Sequence, residues 1–239
     1  MVLLHAGIAD RTMWADHLQP FAHAGYRVVA VDLPGYGDTP VATGEQAPWN
    51  DVVDTMDELS IGRATLIGNS LGGAVALRVA VVAPERVASL VLISAPSPTL
   101  EPSPELAAAW DAEETALDRG DVDAAVDIIL AAWTLPDAPE DLRCRIAAML
   151  RRALALQADA PPTTEAPDPL ALDPSLVSRV GVPALVAAGE RDLVDFRQAA
   201  RDMAAMLPAG RHAVIAEAGH LAPLETPGAF RELVLRFVG

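Results

Sequence analysis

Ser70 sits in Gly68-Asn69-Ser70-Leu71-Gly72-Gly73, between a run of strand character and a small-residue helical run. A serine on so tight a strand-to-helix turn is lifted clear of the sheet edge, near the positive end of the following helix. Developing negative charge is favoured there, and the Leu71 amide would point at an oxyanion. A hydroxyl needs a base. Of the five histidines, His220 follows an expected strand and precedes the last expected helix. In a parallel sheet this is the carboxyl edge that also carries Ser70. His17 and His23 fall within a helical pattern and read as surface or core filler. His212 opens a strand at the opposite edge. His5 ends the first strand and reads as a buried histidine with a satisfied hydrogen bond. The base needs an orienting carboxylate, and Asp192 in Gly189-Glu190-Arg191-Asp192 falls on the same edge. Glu190 and Asp195 are its rivals. The end of the 87–93 strand offers only Ser94, Ala95, Pro96 and Ser97. The order Ser70, Asp192, His220 is that of acyl-transfer triads built on an open parallel sheet. A second oxyanion donor should come from the loop after the first strand, with Gly7 preferred over Ile8.

These side chains need an alternating framework to carry them. Strand character occurs over 2–4, 27–32, 64–68, 87–93, 184–188 and 212–216. Helical patterns lie over 14–24, 49–59, 71–83, 196–206 and 223–237. Alternation of this kind specifies βαβ units and a mostly parallel sheet. Residues 96–174 break the pattern: proline clusters bracket helical runs over 105–119, 122–133 and 140–157, with no convincing strand. The division is therefore a core of 1–95 and 175–239 with a helical cap of 96–174. Trp110, Trp133, Met149 and Leu154 are possible cap liners. Ile8, Asn69, Trp110, Trp133 and Leu221 are the candidate substrate contacts of an enclosed, largely apolar pocket.

Composition narrows the function. The chain has 239 residues, 51% of them hydrophobic, enough for one sizeable core. Its net charge is −16, and all 17 basic residues are arginine. That field disfavours nucleic acid and anionic membranes as partners and leaves a small-molecule substrate. Without lysine there is no phosphate-binding P-loop, and Gly35-Tyr36-Gly37 lacks the third glycine of a dinucleotide fingerprint. No paired cysteine or His-Glu-x-x-His motif suggests a metal, so no cofactor is expected. The single cysteine, Cys144, excludes an internal disulfide and reads as a small buried hydrophobe. The N-terminus lacks a basic region and a long apolar run, and no membrane span is expected, which together point to the cytoplasm.

Taken jointly, Leu4-His5-Ala6-Gly7 with Trp14, the run from Asp32 to Asp38, the Ser70 turn, Gly189 to Asp192, and Gly219 to Glu225 resemble the α/β-hydrolase superfamily. The likeness is nearest to small bacterial members that include enol-lactonases, carboxylesterases and ring-fission hydrolases. It covers the chain apart from the cap. It implies an α/β fold and a serine hydrolase acting through an acyl-enzyme on a small ester, lactone, thioester or C–C bonded ketone. A lyase or cyclase using the same triad as acid–base machinery, or an inactive binding scaffold, is the alternative. Ser rather than Asp at position 70 argues against a haloalkane dehalogenase. Similar proteins have His-Gly where this chain has His5-Ala6. They also have two antiparallel strands before the one that here begins at Val2. Without them, 27–32 becomes an exposed sheet edge. A start upstream of Met1, or a partner such as a second copy, would cover it.

Overall fold

The computed structural model describes residues 1–158 and 160–239. Its centre is a six-stranded sheet built from β1 (Val2–Leu4), β2 (Val29–Val31), β4 (Ala64–Asn69), β5 (Val87–Ile93), β7 (Ala184–Gly189) and β8 (Gly210–Ile215). The order is β2-β1-β4-β5-β7-β8, and every pairing is parallel. Strands in such a sheet are buried on both faces, which is why Val87 to Ile93 is apolar almost throughout. Alternate residues feed two cores. Leu3, Ile67, Val91 and Leu185 face α1 (Ala15–His23) and α10 (Pro227–Val238) through Phe21, Phe230 and Val234. Val2, Leu4, Leu66, Leu90 and Val186 face α2 (Pro48–Glu58), α3 (Leu71–Val82) and α8 (Val194–Met206) through Met56, Val75, Val79 and Met203.

Strand β2 pairs only with β1 and forms an outer edge, as expected. Two differences from the sequence reading are local. A two-stranded parallel ribbon joins β3 (Gly44–Gln46), where no strand was expected, to β6 (Thr163–Glu165), which lies within the 96–174 region read as strand-free. Its three-residue strands are polar and largely exposed, so neither periodicity nor hydrophobicity marks them. The expected helix over 223–237 is interrupted into α9 (Ala222–Glu225) and α10. Thr226 precedes Pro227 and takes φ −133°, ψ 62°, because the proline ring disfavours a helical predecessor.

Between β5 and β7 run α4 (Pro104–Asp118), α5 (Val122–Trp133), α6 (Glu140–Ala158) and the short α7 (Pro169–Leu172). Their apolar faces, including Leu106, Val126, Ile129, Ile146 and Leu150, join the same core as Leu3 and Ile67. The insertion is tied down at its start: Asp195 of α8 accepts hydrogen bonds from the Ser103 amide (2.6 Å) and hydroxyl (2.9 Å). Ser103 in turn caps α4 by accepting from the Leu106 amide. Cys144 corrects the sequence reading. It is exposed, on the face of α6 opposite the buried Ile146, Ala147, Leu150 and Ala153.

Candidate active site

The carboxyl ends of the sheet strands deliver every candidate catalytic group to one place. Ser70 lies between β4 and α3 with φ 51° and ψ −114°, a strained backbone for a residue with a side chain. The strain is held by glycine packing. A methyl group at Gly68 would collide with the Gly72 and Gly73 backbone, and one at Gly72 with the carbonyls of Leu4 and His5. Only residues without side chains let strand and helix pass this closely. Ser70 N–H donates to the Ile93 carbonyl at 2.8 Å, and Gly72 N–H to that of His5 at 3.0 Å. The turn is thereby fixed against β5 on one side and β1 on the other.

His220 is buried, and its Nδ1–H donates to Asp192 Oδ1 at 3.0 Å. The same carboxylate oxygen accepts the Leu193 amide at 2.8 Å. The loop carrying the imidazole is clipped by Glu225, which accepts the Gly219 amide at 2.7 Å. Burial raises the Glu225 carboxyl above its usual range, and that amide opposes the shift. The loop also approaches Gly189 too closely for a methyl group there. The rivals of Asp192 are occupied elsewhere. Glu190 accepts the Glu217 amide, and Asp195 anchors Ser103.

A cavity of about 710 Å³ opens on this edge. Ser70, His220, Gly7, Ile8 and Leu71 all line it. The amides of Gly7, Ile8 and Leu71 have no protein acceptor among the described residues, so all are available to an incoming oxygen. Ser70 and the imidazole face the same space without a hydrogen bond between them. Such contacts are often long or unmade before substrate binds. A hydroxyl at a helix N-terminus, an imidazole backed by a carboxylate, and unpaired amides together can move a proton and hold a developing oxyanion.

The remaining expectations divide. Trp110 and Trp133 line the cavity. Trp133 and Phe196 lean on the imidazole, with ring centroids 4.7 Å and 4.4 Å from it. Asn69 and Leu221 do not line it. Asn69 is turned inward and donates to the carbonyls of Ile93 (3.1 Å) and His220 (3.0 Å), tying the nucleophile strand to the histidine loop. Leu221 is wholly buried in the core, as adjacent residues on a turn point in different directions. Met149 packs in the core and Leu154 against it, away from the cavity. His5 has both ring nitrogens engaged, with Nδ1 on the Ala6 carbonyl and Nε2 accepting the Leu33 amide. Burial lowers its pKa and keeps it neutral. His17 is buried on the Pro223 carbonyl.

Tyr36, Glu113, Glu114, Leu117, Asp118 and Phe196 also line the cavity and were not anticipated. A signal for four of them existed. Glu113, Glu114, Leu117 and Asp118 follow Trp110 at i+3, i+4, i+7 and i+8, so one helix face carries them all. Burial holds the Glu113 carboxyl above its ordinary range, partly opposed by the Trp133 indole N–H, which donates to it at 3.3 Å.

Residues 1–233 match the model of the alpha/beta hydrolase family. The chain belongs to that family. Among curated relatives, the 2-hydroxy-6-oxononadienedioate/2-hydroxy-6-oxononatrienedioate hydrolase of Burkholderia vietnamiensis is 46% identical over 100 residues. That match covers 39% of this chain and 35% of the relative, so the chain spans about a third of the length of the curated relatives it matches. Solved structures align along its whole length. A hydrolase from Pseudomonas aeruginosa PA01 superposes with a TM-score of 0.79 at 29% identity, over 100% of this chain and 89% of that one. The enol-lactonase of Burkholderia xenovorans LB400 gives 0.81 at 25% identity, over 99% and 90%. These α/β hydrolases share the parallel sheet and its flanking helices. No helix among the described residues of this family member is long and apolar enough to cross a membrane.

Proposed function

We propose that this α/β hydrolase is a serine hydrolase of small acyl compounds, with Ser70 as nucleophile, His220 as base and Asp192 as the acid that orients it. The observation that carries the reading is a strained Ser70 and an Asp192-bound His220 lining one cavity. The hydroxyl swings toward Nε2, gives up its proton, and attacks the substrate carbonyl. The Leu71 amide and that of Gly7 hold the oxyanion, with Gly7 preferred to Ile8. His220 returns the proton to the leaving group as the bond breaks, and water then releases the acyl group by the same steps. Asp192 stabilises the imidazolium and keeps the ring in its reactive tautomer. The α4–α6 insertion acts as a cap that excludes water. Esters, lactones, thioesters and C–C bonded ketones fit this chemistry. The dienedioate named for the Burkholderia vietnamiensis relative would bring two carboxylates into the cavity. The setting we infer is cytoplasmic, with no cofactor, consistent with one unpaired cysteine and a strongly acidic surface.

A fluorophosphonate label together with a panel of short-chain esters tests the proposal. Ser70 should be the labelled residue, and Ser70→Ala should lower kcat by at least about 1,000-fold while remaining folded. Equal turnover by wild type and Ser70→Ala would overturn the nucleophile assignment. Asp192→Asn should lower kcat by about 10,000-fold through loss of the reactive tautomer.

A further inference from the structure

We infer that the cavity selects acyl substrates carrying a positive charge, an amine or a quaternary ammonium group, seated between the aromatic wall and the Glu113 carboxylate. This rests on the serine hydrolase reading and specifies its substrate class. The cavity itself is the site already described, and its lining sets the sign of charge it accepts. Apart from His220 and the Tyr36 phenol, the ionisable groups lining it are all carboxyl groups: Glu113, Glu114 and Asp118. No arginine lines it, and the chain contains no lysine. Four arginines of the insertion and rim form ion pairs outside it. Arg145 pairs with Asp16, Arg151 with Asp123, Arg152 with Asp10 and Arg191 with Asp137.

Four aromatic rings, Trp110, Trp133, Tyr36 and Phe196, share the wall with aliphatic side chains such as Ile8, Leu71 and Leu117. Indole faces attract cations through their quadrupole, and tryptophan does so best. Trp133 links the carboxylate to the imidazole. One edge of its ring donates to Glu113, and the ring packs 4.7 Å from the His220 imidazole. A cation held at Glu113 is therefore one indole away from the reacting centre. Glu113 is half-buried and makes no ion pair among the described residues. A charged ligand would supply the counter-charge that the protein does not. At longer range, a net charge of −16 concentrates cations at the mouth and repels anions. The chemistry is otherwise unchanged: ester and water give a carboxylic acid and an amino alcohol.

The test compares three butyrate esters on the full chain, followed by titrating the released acid: butyrylcholine, its uncharged isostere 3,3-dimethylbutyl butyrate, and the anionic 3-(butyryloxy)propanoate. We expect kcat/KM for the cation to exceed that for the isostere by about 10- to 100-fold at low salt, with the anion slowest. Salt should narrow the gap. In Glu113→Gln the cation-to-isostere ratio should fall toward unity, and using a ratio cancels any general loss of activity. Equal rates for cation and isostere, or an anion preference, would overturn the inference while leaving the serine hydrolase reading intact. Binding is read separately by tryptophan fluorescence with choline and 3,3-dimethylbutanol. If no ester turns over, choline binding at least about tenfold tighter than the alcohol still supports the charge preference, and equal binding overturns it.

Discussion

Replacing Gly72 by alanine drives one methyl group into the backbone of Leu4 and His5. Built on the present backbone, that Cβ lies 2.5 Å from the Leu4 carbonyl carbon and 2.6 Å from the His5 oxygen. Non-bonded carbons prefer about 3.5–4.0 Å, so something must retreat by about 1 Å. Leu4 cannot easily do so, because β1 is paired on both sides, with Val31 and with Gly68. The retreating part is therefore the elbow and the first turn of α3. That movement carries the Ser70 hydroxyl and the Leu71 amide away from His220 and Gly7. Overpacking of this size costs about 1–3 kcal/mol of stability. A misplacement of about 1 Å at reacting groups costs about 100-fold in rate. Urea unfolding and ester kinetics on the purified variant read both. The control is Gly228→Ala near the start of α10, where a methyl group meets nothing within 4 Å. There alanine should stabilise by about 0.4–1 kcal/mol and leave kcat unchanged. A Gly72→Ala variant as stable and active as wild type would refute the claim that contact with β1 sets the position of Ser70.

Two further outcomes follow from buried polar groups. Burial lowers the His17 pKa from 6.5 to about 4. The unfolded chain then takes up a proton that the native state refuses. The His17 contribution is complete above about pH 6.5 and is lost as pH falls toward about 4, amounting to about 3 kcal/mol. His5, lowered by burial too, adds in the same direction. Urea midpoints near neutrality and near about pH 4.5 should therefore differ less in His17→Phe than in wild type; an identical difference would show that His17 is not buried neutral. Asp195→Ala removes the acceptor of both Ser103 hydrogen bonds. It should cost about 1–3 kcal/mol and raise KM more than it lowers kcat, by loosening the start of α4. Hydrogen exchange over 97–106 should then accelerate, and unchanged protection there would exclude this tether.

Sequence alone was enough to locate the catalytic candidates, since their signals are local. Gly68 and Gly72 flank Ser70 because strand and helix cannot otherwise pass. Asp192 and His220 each follow a strand, and every strand of a parallel sheet ends on the same side. The alternation of apolar runs with helical patterns likewise dictated the layered architecture, since strands buried on both faces can hide little else. The tertiary structure decided whatever depends on the direction a side chain takes from a known position. Asn69 and Leu221 adjoin catalytic candidates yet turn into the protein, whereas Phe196 reaches the imidazole from a helix separated from it in sequence. Cys144 lies outward because α6 buries a different stripe. The acidic lining of the cavity, together with Trp110, is set by which face of α4 turns toward Ser70. Packing against α5 and the Asp195–Ser103 tether fix that rotation, and the tether arises only when distant parts of the chain meet.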